Sequence, residues 1–554
     1  MDLLSILTLI GGLALFLYGM HVLGEGLSKL SGGRMESILS KMTDNHFKAV
    51  LLGAGITAVI QSSSATTVMV VGLVNSGIMQ LRQTVGIIMG ANIGTTITSW
   101  ILSLSGIQGD NLFITLLKPK AFSPILAMVG IIFLMFCKSD KKKDMGNILL
   151  GFAVLMFGMD TMSSAVEPLK DVPEFTRLFL TFSNPILGML AGTLLTAALQ
   201  SSSASVGILQ ALCASGSIPY AAVFPLILGQ NIGTCITALL SSIGANVNAR
   251  RAAFIHLYFN LIGTIVFMSG FYLINYFSPF SFLAQTVTPA GIALIHSCFN
   301  LFATILLLPF SGKLVALACF SVPEKDTSDL QRLPSVLSPL SNMDKRFLDN
   351  PSFALAQCRK TTSAMLDLAK EAAFESLSLI FDYNGQNAAH VENLEDYVDQ
   401  YEDKISDYMF KISLTSLSET DIKELSAMQH SVGHIERITD YALGVAISVR
   451  KIEKKDLAFS KEARKELEML CDIVRSLIND TLSYWENPDP LTVNDAWQLE
   501  NELSRMEKKI MKNHKSRVKK GKCGVDMGFI LSDILSGLKK MSEHSLQIID
   551  AMQP

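Results

Sequence analysis

The chain has 554 residues, of which 49% are hydrophobic, and 46 basic and 49 acidic residues give it a net charge of −3. This composition excludes a wholly water-soluble or strongly basic protein, and we expect no nucleic-acid partner. Eight scattered cysteines without a Cys-x-x-Cys pair exclude a disulfide framework or a zinc site. Residues 1–313 carry 16 Lys/Arg and 11 Asp/Glu, whereas the remainder carries 30 and 38, so an apolar positive half precedes a polar negative half.

The N-terminal half contains a series of apolar segments. The start, Met1-Asp2-Leu3-Leu4, lacks the basic region and cleavage site of a signal peptide, so we expect it to begin a retained transmembrane helix. A span needs roughly 20 apolar residues. Full spans are predicted over 4–26, 84–104, 122–137, 146–166, 221–243, 252–276 and 288–310.

An internal repeat relates two parts of this half. With an offset of 139 residues, 12–98 aligns with 151–237 without a gap. Gln61-Ser62-Ser63-Ser64-Ala65 falls on Gln200-Ser201-Ser202-Ser203-Ala204, and Gly90-Ala91-Asn92-Ile93-Gly94-Thr95 falls on Gly229-Gln230-Asn231-Ile232-Gly233-Thr234. A polar cluster that recurs within apolar sequence indicates a shared function, because polar groups at membrane depth must find partners.

Loop charge predicts that the two repeats are inverted. The loop 27–48 carries Lys29, Arg34, Lys41 and Lys48, whereas the equivalent loop after 146–166 is mainly acidic. Positive loops face the cytoplasm, so the two copies cross the membrane in opposite directions. The path closes only if 49–79 and 186–216 are re-entrant helical hairpins that each begin and end on one face. The alternative is one tilted helix with its polar residues at a helix interface.

The half after Lys313 is predicted to be a cytosolic helical domain. Prolines among polar residues in 321–341 indicate a linker. Apolar residues at three- and four-residue spacing then predict six helices in a helical bundle. They are expected near 351–383, 386–413, 419–450, 457–485, 491–520 and 526–551.

The repeated motifs favour an anion site coupled to a cation. Where a helix breaks, the N–H groups of the new N-terminus attract anions, and free carbonyl and amide oxygens can hold a hard cation. No Lys, Arg, Asp or Glu occurs in 49–79 or 186–216. Because the site itself is uncharged, a strongly negative ligand bound there favours coupling to a co-bound cation.

The paired Gln-Ser-Ser-Ser and Gly-x-Asn-Ile-Gly-Thr motifs resemble the type II sodium/phosphate cotransporter family over residues 1–312. The resemblance implies a phosphate role for the motif serines, Ser62, Ser63, Ser64, Ser201, Ser202 and Ser203. It implies a sodium role for Gln61, Thr66, Asn92, Thr95, Gln200, Ser205, Asn231 and Thr234. The division between these two sets stays open.

From residue 343 the chain resembles the PhoU-like helical proteins, which implies that the six-helix bundle consists of two three-helix repeats. Glu436-Arg437-Ile438-Thr439-Asp440 matches that family's metal-binding signature, although Lys539 stands where the second repeat needs a carboxylate. The resemblance implies a divalent or iron-type metal on carboxylates of two facing helices. We assign this role to Glu392, Asp396, Asp399, Glu436 and Asp440; the alternative is a solvated helix face.

Together these observations predict an all-α, multi-pass protein of the cell (inner or plasma) membrane. The predicted parts are a first repeat (1–138), a second repeat with two further helices (139–312), a linker (313–342) and a cytosolic PhoU-like domain (343–554). The predicted function is sodium-coupled symport of inorganic phosphate by alternating access, without enzymatic activity and regulated by the cytosolic domain. Alternatives are a proton-coupled transporter, a transporter of another small oxyanion, a phosphate exporter, or a phosphate sensor without transport. A homodimer is a possible assembly.

Overall fold

The computed structural model describes residues 3–31, 45–107, 118–213, 216, 218–323 and 335–553. Apart from one isolated bridge between Pro219 and Thr286, the regular structure of these residues is helical, which confirms the predicted all-α class. The described residues up to Pro323 together with Asp344–Asn350 form one compact unit, here called the N-terminal unit. Residues 335–343 and 351–553 form the C-terminal unit. Arg34, Lys41 and the linker residues 324–334 lie outside the described residues.

The N-terminal unit consists of long helices interrupted by pairs of short ones. In chain order they are α1 Leu3–Ser31, α2 His46–Ile60, α3 Ser63–Asn75, α4 Leu81–Ser103, α5 Pro119–Phe136, α6 Asp140–Val166, α7 Pro173–Phe182, α8 Pro185–Leu199, α9 Ser202–Leu212, α10 Tyr220–Ser241, α11 Val247–Phe277, α12 Pro289–Leu307 and α13 Ser311–Ser321. The linker predicted from residue 313 thus begins with helix α13, in which Leu314 and Ala318 are buried.

Six segments of the described chain are long and apolar enough to cross a bilayer. They are Leu3–Leu27, Leu81–Gly106, Lys141–Leu169, Tyr220–Ser241, Val247–Phe277 and Pro289–Ser321. The seventh predicted span corresponds to α5, whose 18 residues extend about 27 Å and fall short of a hydrocarbon core of about 30 Å. Large apolar side chains such as Leu194, Ile305 and Phe320 are exposed, as expected for a membrane protein.

Helices α1 and α6, the first helix of each sequence repeat, pack antiparallel through glycines. A Cβ atom on Gly12 would lie 3.1 Å from the Gly158 carbonyl oxygen, and one on Gly19 would lie 2.8 Å from the Gly151 carbonyl oxygen. Gly12 is equivalent to Gly151 in the repeat, and Gly19 to Gly158. Gly12 therefore faces Gly158, which is the equivalent of Gly19, and Gly19 faces Gly151, which is the equivalent of Gly12.

Helices α2 and α3 form a hairpin that begins and ends at the same end of α4. Gly86, near the start of α4, lies against His46 and Ala49 at the start of α2. Gly94, further along α4, lies against Ala54 and Thr57, so α2 and α4 run parallel. Because α3 ends at Asn75, shortly before α4 starts, both ends of the hairpin lie together. This is the geometry predicted for a re-entrant hairpin.

The equivalent hairpin of α8 and α9 packs against α10 in the same way. A Cβ on Gly192 would lie 2.0 Å from the Leu226 carbonyl oxygen, just as one on Gly53 would lie 2.2 Å from that of Ile87. These pairs are 139 residues apart in the sequence. The repeated glycines are thus explained by the close approach of two helix backbones in each copy.

The C-terminal unit is a bundle of six helices within residues 351–551. Their bounds are α14 Pro351–Leu379, α15 Gly385–Ser413, α16 Glu419–Lys454, α17 Lys461–Glu486, α18 Pro490–Lys519 and α19 Val525–Ala551, close to those predicted. Helices α14–α16 pack together, as do α17–α19. The two sets meet along α16 and α19, where Gly537 lies against Val445. The buried apolar residues follow the helical spacing seen in the sequence, for example Leu425, Met428 and Val432.

Gly53→Ala tests the close packing in the first copy. Because the added methyl group meets the rigid Ile87 carbonyl, the substitution is expected to cost about 1–3 kcal/mol of stability. Gly55→Ala is the matched control on the same helix, since a Cβ there meets no atom within 4 Å. Thermal unfolding in detergent measures both variants. Equal midpoints for the two would contradict the packing described here.

Candidate functional site

Each Gln-Ser-Ser-Ser motif breaks a helix at its glutamine. Helix α2 is followed by its C-cap residue Gln61, whose φ is 59°, and α8 is followed by its C-cap residue Gln200, whose φ is 54°. A positive φ is uncommon for residues other than glycine, so it marks a chain reversal that the surrounding structure must stabilise. The two breaks have the same geometry, as expected from the sequence repeat.

The first serine of each motif caps the helix that follows. Ser62 Oγ accepts a hydrogen bond from the Ala65 N–H at 3.1 Å, and Ser201 Oγ accepts one from the Ala204 N–H at 3.2 Å. These caps satisfy one N–H group in the first turn of α3 and of α9. The other first-turn N–H groups, including those of Ser63 and Ser202, have no acceptor within their own helix.

The two motifs meet at a shared cavity. Ser64 Oγ lies 3.5 Å from the carbonyl oxygen of Gln200, which is a long contact between the first and the second copy. A cavity of about 490 Å³ opens beside this contact. It is lined by Ser62, Ser64, Ala65, Val68, Gln200, Thr237, Leu240, Ser241, Lys345 and Arg346.

The six serines predicted to bind phosphate therefore differ in their access to the cavity. Ser62 and Ser64 line the cavity, whereas Ser63, Ser202 and Ser203 are buried and Ser201 is half-buried. The cavity as it stands exposes mainly the first motif. The second motif contributes its Gln200 and the end of α10.

Hydrogen bonds between hydroxyl groups hold each hairpin at the residues predicted to bind sodium. Thr57 Oγ1 donates to Thr66 Oγ1 at 3.0 Å, and the equivalent Thr196 Oγ1 donates to Ser205 Oγ at 2.8 Å. Gln61 accepts a hydrogen bond at Oε1 from Thr98 Oγ1 at 3.0 Å. These contacts join each hairpin internally and join the first hairpin to α4.

The two motif asparagines are oriented alike. Asn92 Nδ2 donates to the Ile88 carbonyl and Asn231 Nδ2 to the Ile227 carbonyl, both at 2.9 Å. Each amide nitrogen is thus fixed to its own helix, which leaves Oδ1 directed elsewhere. Thr95 and Thr234 likewise donate to carbonyls of their own helices. In the described structure the eight predicted sodium residues lie in several hydrogen-bonded groups, and no one group contains all eight.

A buried histidine connects the two copies and was not assigned a site role from the sequence. His296 Nδ1 lies 2.9 Å from Ser99 Oγ on α4, and its Nε2 lies 3.2 Å from Asn231 Oδ1 on α10. Asn300 Nδ2 also donates to Asn231 Oδ1 at 3.2 Å. Because Asn231 Oδ1 only accepts, the neutral imidazole carries its proton on Nε2 and accepts the Ser99 hydroxyl hydrogen at Nδ1.

A second internal repetition would have pointed to this histidine. The pattern Ile-His-x-x-Phe-Asn-Leu-x-x-Thr-Ile occurs at 255–265 and again at 295–305. Its offset is 40 residues, and both occurrences lie outside the ranges related by the offset of 139. The polar members of both copies are buried, namely His256, Asn260, Thr264, His296, Asn300 and Thr304.

The C-terminal unit brings three carboxylates together. Glu395 and Asp399 on α15 and Asp440 on α16 each place an oxygen atom within 4.8 Å of the others. Of the five predicted metal residues, Asp399 and Asp440 belong to this group, and Glu395 joins them in place of its neighbour Asp396. Glu395 and Asp399 are four residues apart on one face of α15. The Asp396 carboxylate is not among the oxygens of the described residues that lie within 4.8 Å of one another.

The remaining predicted metal residues lie outside this group of three. Glu392 pairs with Arg450 at 3.7 Å, and Glu436 lies one helical turn before Asp440.

Burial raises the pKa of the Glu395, Asp399 and Glu436 carboxyl groups, and repulsion from neighbouring carboxylates raises it further. Arg437 Nη1, 3.0 Å from Asp440 Oδ2, offsets part of that repulsion.

Comparison with known proteins finds one family match in the N-terminal unit and another in the C-terminal unit. Residues 15–164 and 173–288 match the Na+/Pi-cotransporter family, and residues 362–449 match the PhoU domain. YjbB of Escherichia coli strain K12, whose name refers to inorganic phosphate export, is 24% identical over 88% of this chain and 86% of its own length.

Two further relatives cover parts of the chain. The uncharacterised protein YqeW of Bacillus subtilis strain 168 is 27% identical over 56% of this chain and 96% of its own length. Sodium-dependent phosphate transport protein 2B of Homo sapiens is 35% identical over 22% of this chain and 19% of its own length. No solved structure is significantly similar to the chain. The predicted resemblance is confirmed: one region of this membrane protein matches the Na+/Pi-cotransporter family, and a later region matches the PhoU domain.

Proposed function

We propose that the protein is a secondary active transporter that moves inorganic phosphate together with sodium ions by alternating access. The observation that carries this proposal is the contact of the two broken helices at one cavity, where Ser64 of the first motif meets Gln200 of the second. Helix N-termini and hydroxyl groups bind oxyanions through N–H and O–H donors. Relatives named for phosphate export and for sodium-dependent phosphate transport support phosphate as the substrate.

The proposed mechanism depends on the two repeats being inverted. Equivalent helices α1 and α6 run antiparallel, and Gly12 and Gly19 face Gly158 and Gly151 in exchanged order. A two-fold rotation that relates such helices has its axis perpendicular to them, hence in the plane of the membrane. A site on this axis can open to either side by equivalent movements, which is the basis of alternating access. If the positively charged loop 27–48 faces the cytoplasm, as the sequence predicts, the C-terminal unit also lies in the cytoplasm.

The charge of the substrate supports the proposed cation coupling. A helix N-terminus typically contributes 0.3–1 kcal/mol toward an anion and at most about 2 kcal/mol, which is little against the cost of desolvating phosphate. The residues between Ala49 and Met79 and between Ile186 and Gly216 include no Lys or Arg. Sodium bound at the amide and hydroxyl oxygens of the motifs would lower the cost of holding phosphate. We assign this part to Gln61, Thr66 and Asn92 and their equivalents in the second copy.

In the C-terminal unit we propose a divalent metal site at Glu395, Asp399 and Asp440. Three carboxylate oxygens within 4.8 Å of one another suit a hard cation. Burial raises the pKa of Glu395 and of Asp399, and repulsion from neighbouring carboxylates, which a cation would relieve, raises it further. The metal would tie α15 to α16. We propose that the PhoU domain regulates transport and that this metal-dependent link between the two helices is part of the regulation.

Radiolabelled phosphate flux in proteoliposomes tests the proposed activity. An inward sodium gradient is expected to drive accumulation, whereas lithium or a proton gradient alone is expected to drive little. Reversing the gradient is expected to reverse the flux, because secondary transport follows the coupling ion. Phosphate binding without flux would support the sensor alternative, and flux driven by protons alone would support the proton-coupled one.

Ser64→Ala tests the anion site. Ser64 lines the cavity and does not cap α3, so its loss removes a donor without disturbing the helix start. Loss of a hydrogen bond to a charged group, about 1.5 kcal/mol or more, is expected to raise the KM for phosphate about tenfold. Ser278→Ala, an exposed serine at the end of α11, is the matched control. An unchanged KM in Ser64→Ala would remove this serine from the site.

Asp399→Asn tests the metal site, with the exposed Asp396→Asn as control. A carboxyl group whose pKa is raised by folding destabilises the fold as pH rises through that raised value. Without metal, Asp399→Asn is therefore expected to raise the thermal midpoint by about 2 °C at pH 7 and less near pH 4. Mn²⁺ or Mg²⁺ is expected to stabilise the wild type and Asp396→Asn, but not Asp399→Asn. Equal stabilisation of all three would exclude the site, and phosphate flux unaltered in Asp399→Asn would argue against regulation through it.

A further inference from the structure

The segment Asp344–Asn350 belongs to the N-terminal unit although it follows the predicted linker in the chain. Its anchor is Phe347, which is 1% exposed. The ring lies against Gly72 of α3, where a Cβ atom would be only 2.6 Å from Phe347 Cε1. The helix that carries the first serine motif thus has a glycine at the place where this aromatic ring is buried.

Polar contacts fix the segment at the end of α3. Asp344 Oδ2 accepts hydrogen bonds from Asn75 Nδ2 and from Arg346 Nη1, both at 2.6 Å. Asn75 Oδ1 in turn accepts one from the Asn246 N–H at 2.8 Å, just before α11 begins. The Asp344 side chain is only 5% exposed, so these charge-assisted bonds are shielded from water.

Arg346 connects the same segment to the second copy. Its Nε donates to the carbonyl oxygen of Ser241, the last residue of α10, at 2.7 Å. A helix C-terminus has carbonyl groups without partners, and a cation there is favourable. The positive charge of Arg346 is balanced by Asp344 and by this helix end, so Arg346 positions the segment between α3 and α10.

Lys345 lies between these two anchored residues and lines the cavity with Ser62, Ser64 and Gln200. Its side chain is exposed, and no carboxylate whose side chain the structure describes forms an ion pair with it. The other cavity residues, apart from Arg346, are uncharged. Among the described side chains that line the cavity, Lys345 therefore carries the one charge that has no opposite charge bound to it.

We propose that Lys345 is an anion-binding residue of this cavity, supplied by the segment that leads into α14 and not by either repeat. This inference rests on the proposed function, since it takes the oxyanion held at the two motifs as its ligand. A lysine ammonium is a compact charge on a flexible stem and binds phosphate as a point charge. It can follow the anion as it enters or leaves the cavity, which a fixed helix N-terminus cannot. Lys345 thus supplies the positive charge that both motifs lack.

A charge series at position 345 in the full-length protein tests this role. The variants are Lys345→Arg, Lys345→Gln and Lys345→Glu, and the control series makes the same three changes at Lys48, an exposed lysine of α2 that does not line the cavity. Radiolabelled phosphate binding and sodium-driven flux are measured in zwitterionic lipid at low and high salt. Because Lys345 is exposed, all variants are expected to keep the wild-type thermal midpoint.

The expected result is a graded loss of phosphate affinity. Lys345→Arg stays close to the wild type, Lys345→Gln raises the Kd and KM about tenfold, and Lys345→Glu raises them further. High salt reduces these differences because it screens an exposed charge. The Lys48 series shows no such gradient.

Two outcomes overturn the inference in different ways. If the wild type binds and transports phosphate but the Lys345 variants match it, Lys345 is not an anion-binding residue and the proposed function stands. The inference about Lys345 also fails, and the proposed function stands, if the Lys48 series shows an equal gradient. The effect would then be a general attraction of phosphate to positive charge on the protein surface. If the wild type itself neither binds nor transports phosphate, the proposed function fails and this inference fails with it.

Discussion

The structure of the N-terminal unit depends on one constraint, which is that a broken helix inside an apolar environment must have partners for its backbone. Gln61 and Gln200 turn the chain in the left-handed region, and Ser62 and Ser201 then cap the next helix. The Thr57–Thr66 and Thr196–Ser205 hydrogen bonds hold each hairpin closed at the break. Without these contacts the first-turn N–H groups could not be kept available for a ligand, because unpaired polar groups in hydrocarbon are too costly.

Close packing of glycines makes this arrangement rigid. Gly53 and Gly90 bring α2 and α4 into backbone contact, and Gly192 and Gly229 do the same for α8 and α10. Between the copies, Gly12 and Gly19 allow α1 to lie directly on α6. In a membrane, where helices gain little from hydrophobic burial, such small residues let helices associate through close contact. One set of glycines therefore supports the hairpins, and a second set brings the two copies together.

The two units use charge in opposite ways. The motif hairpins contain hydroxyl and amide groups and rely on backbone dipoles, with Lys345 contributed from a later segment of the chain. The C-terminal unit instead places Glu395, Asp399 and Asp440 together, and their mutual repulsion raises the pKa of Glu395 and of Asp399 beyond the effect of burial. In the function proposed above, the first arrangement binds and releases an anion, and the second holds a cation between two helices.

The sequence by itself determined the all-α class, the internal repeat, both helix breaks and the six helices after residue 351. These features depend on local spacing, composition and helix-capping chemistry, which are visible along the chain. Only the tertiary structure decided which side chains meet. It placed Ser64 beside Gln200, His296 between Ser99 and Asn231, and Glu395 in the acidic group in place of Asp396. It also placed Lys345 at the cavity although 283 positions separate it from Ser62. The physical reason is that contacts between residues far apart in the chain depend on how helices pack and rotate against one another, which local patterns do not specify.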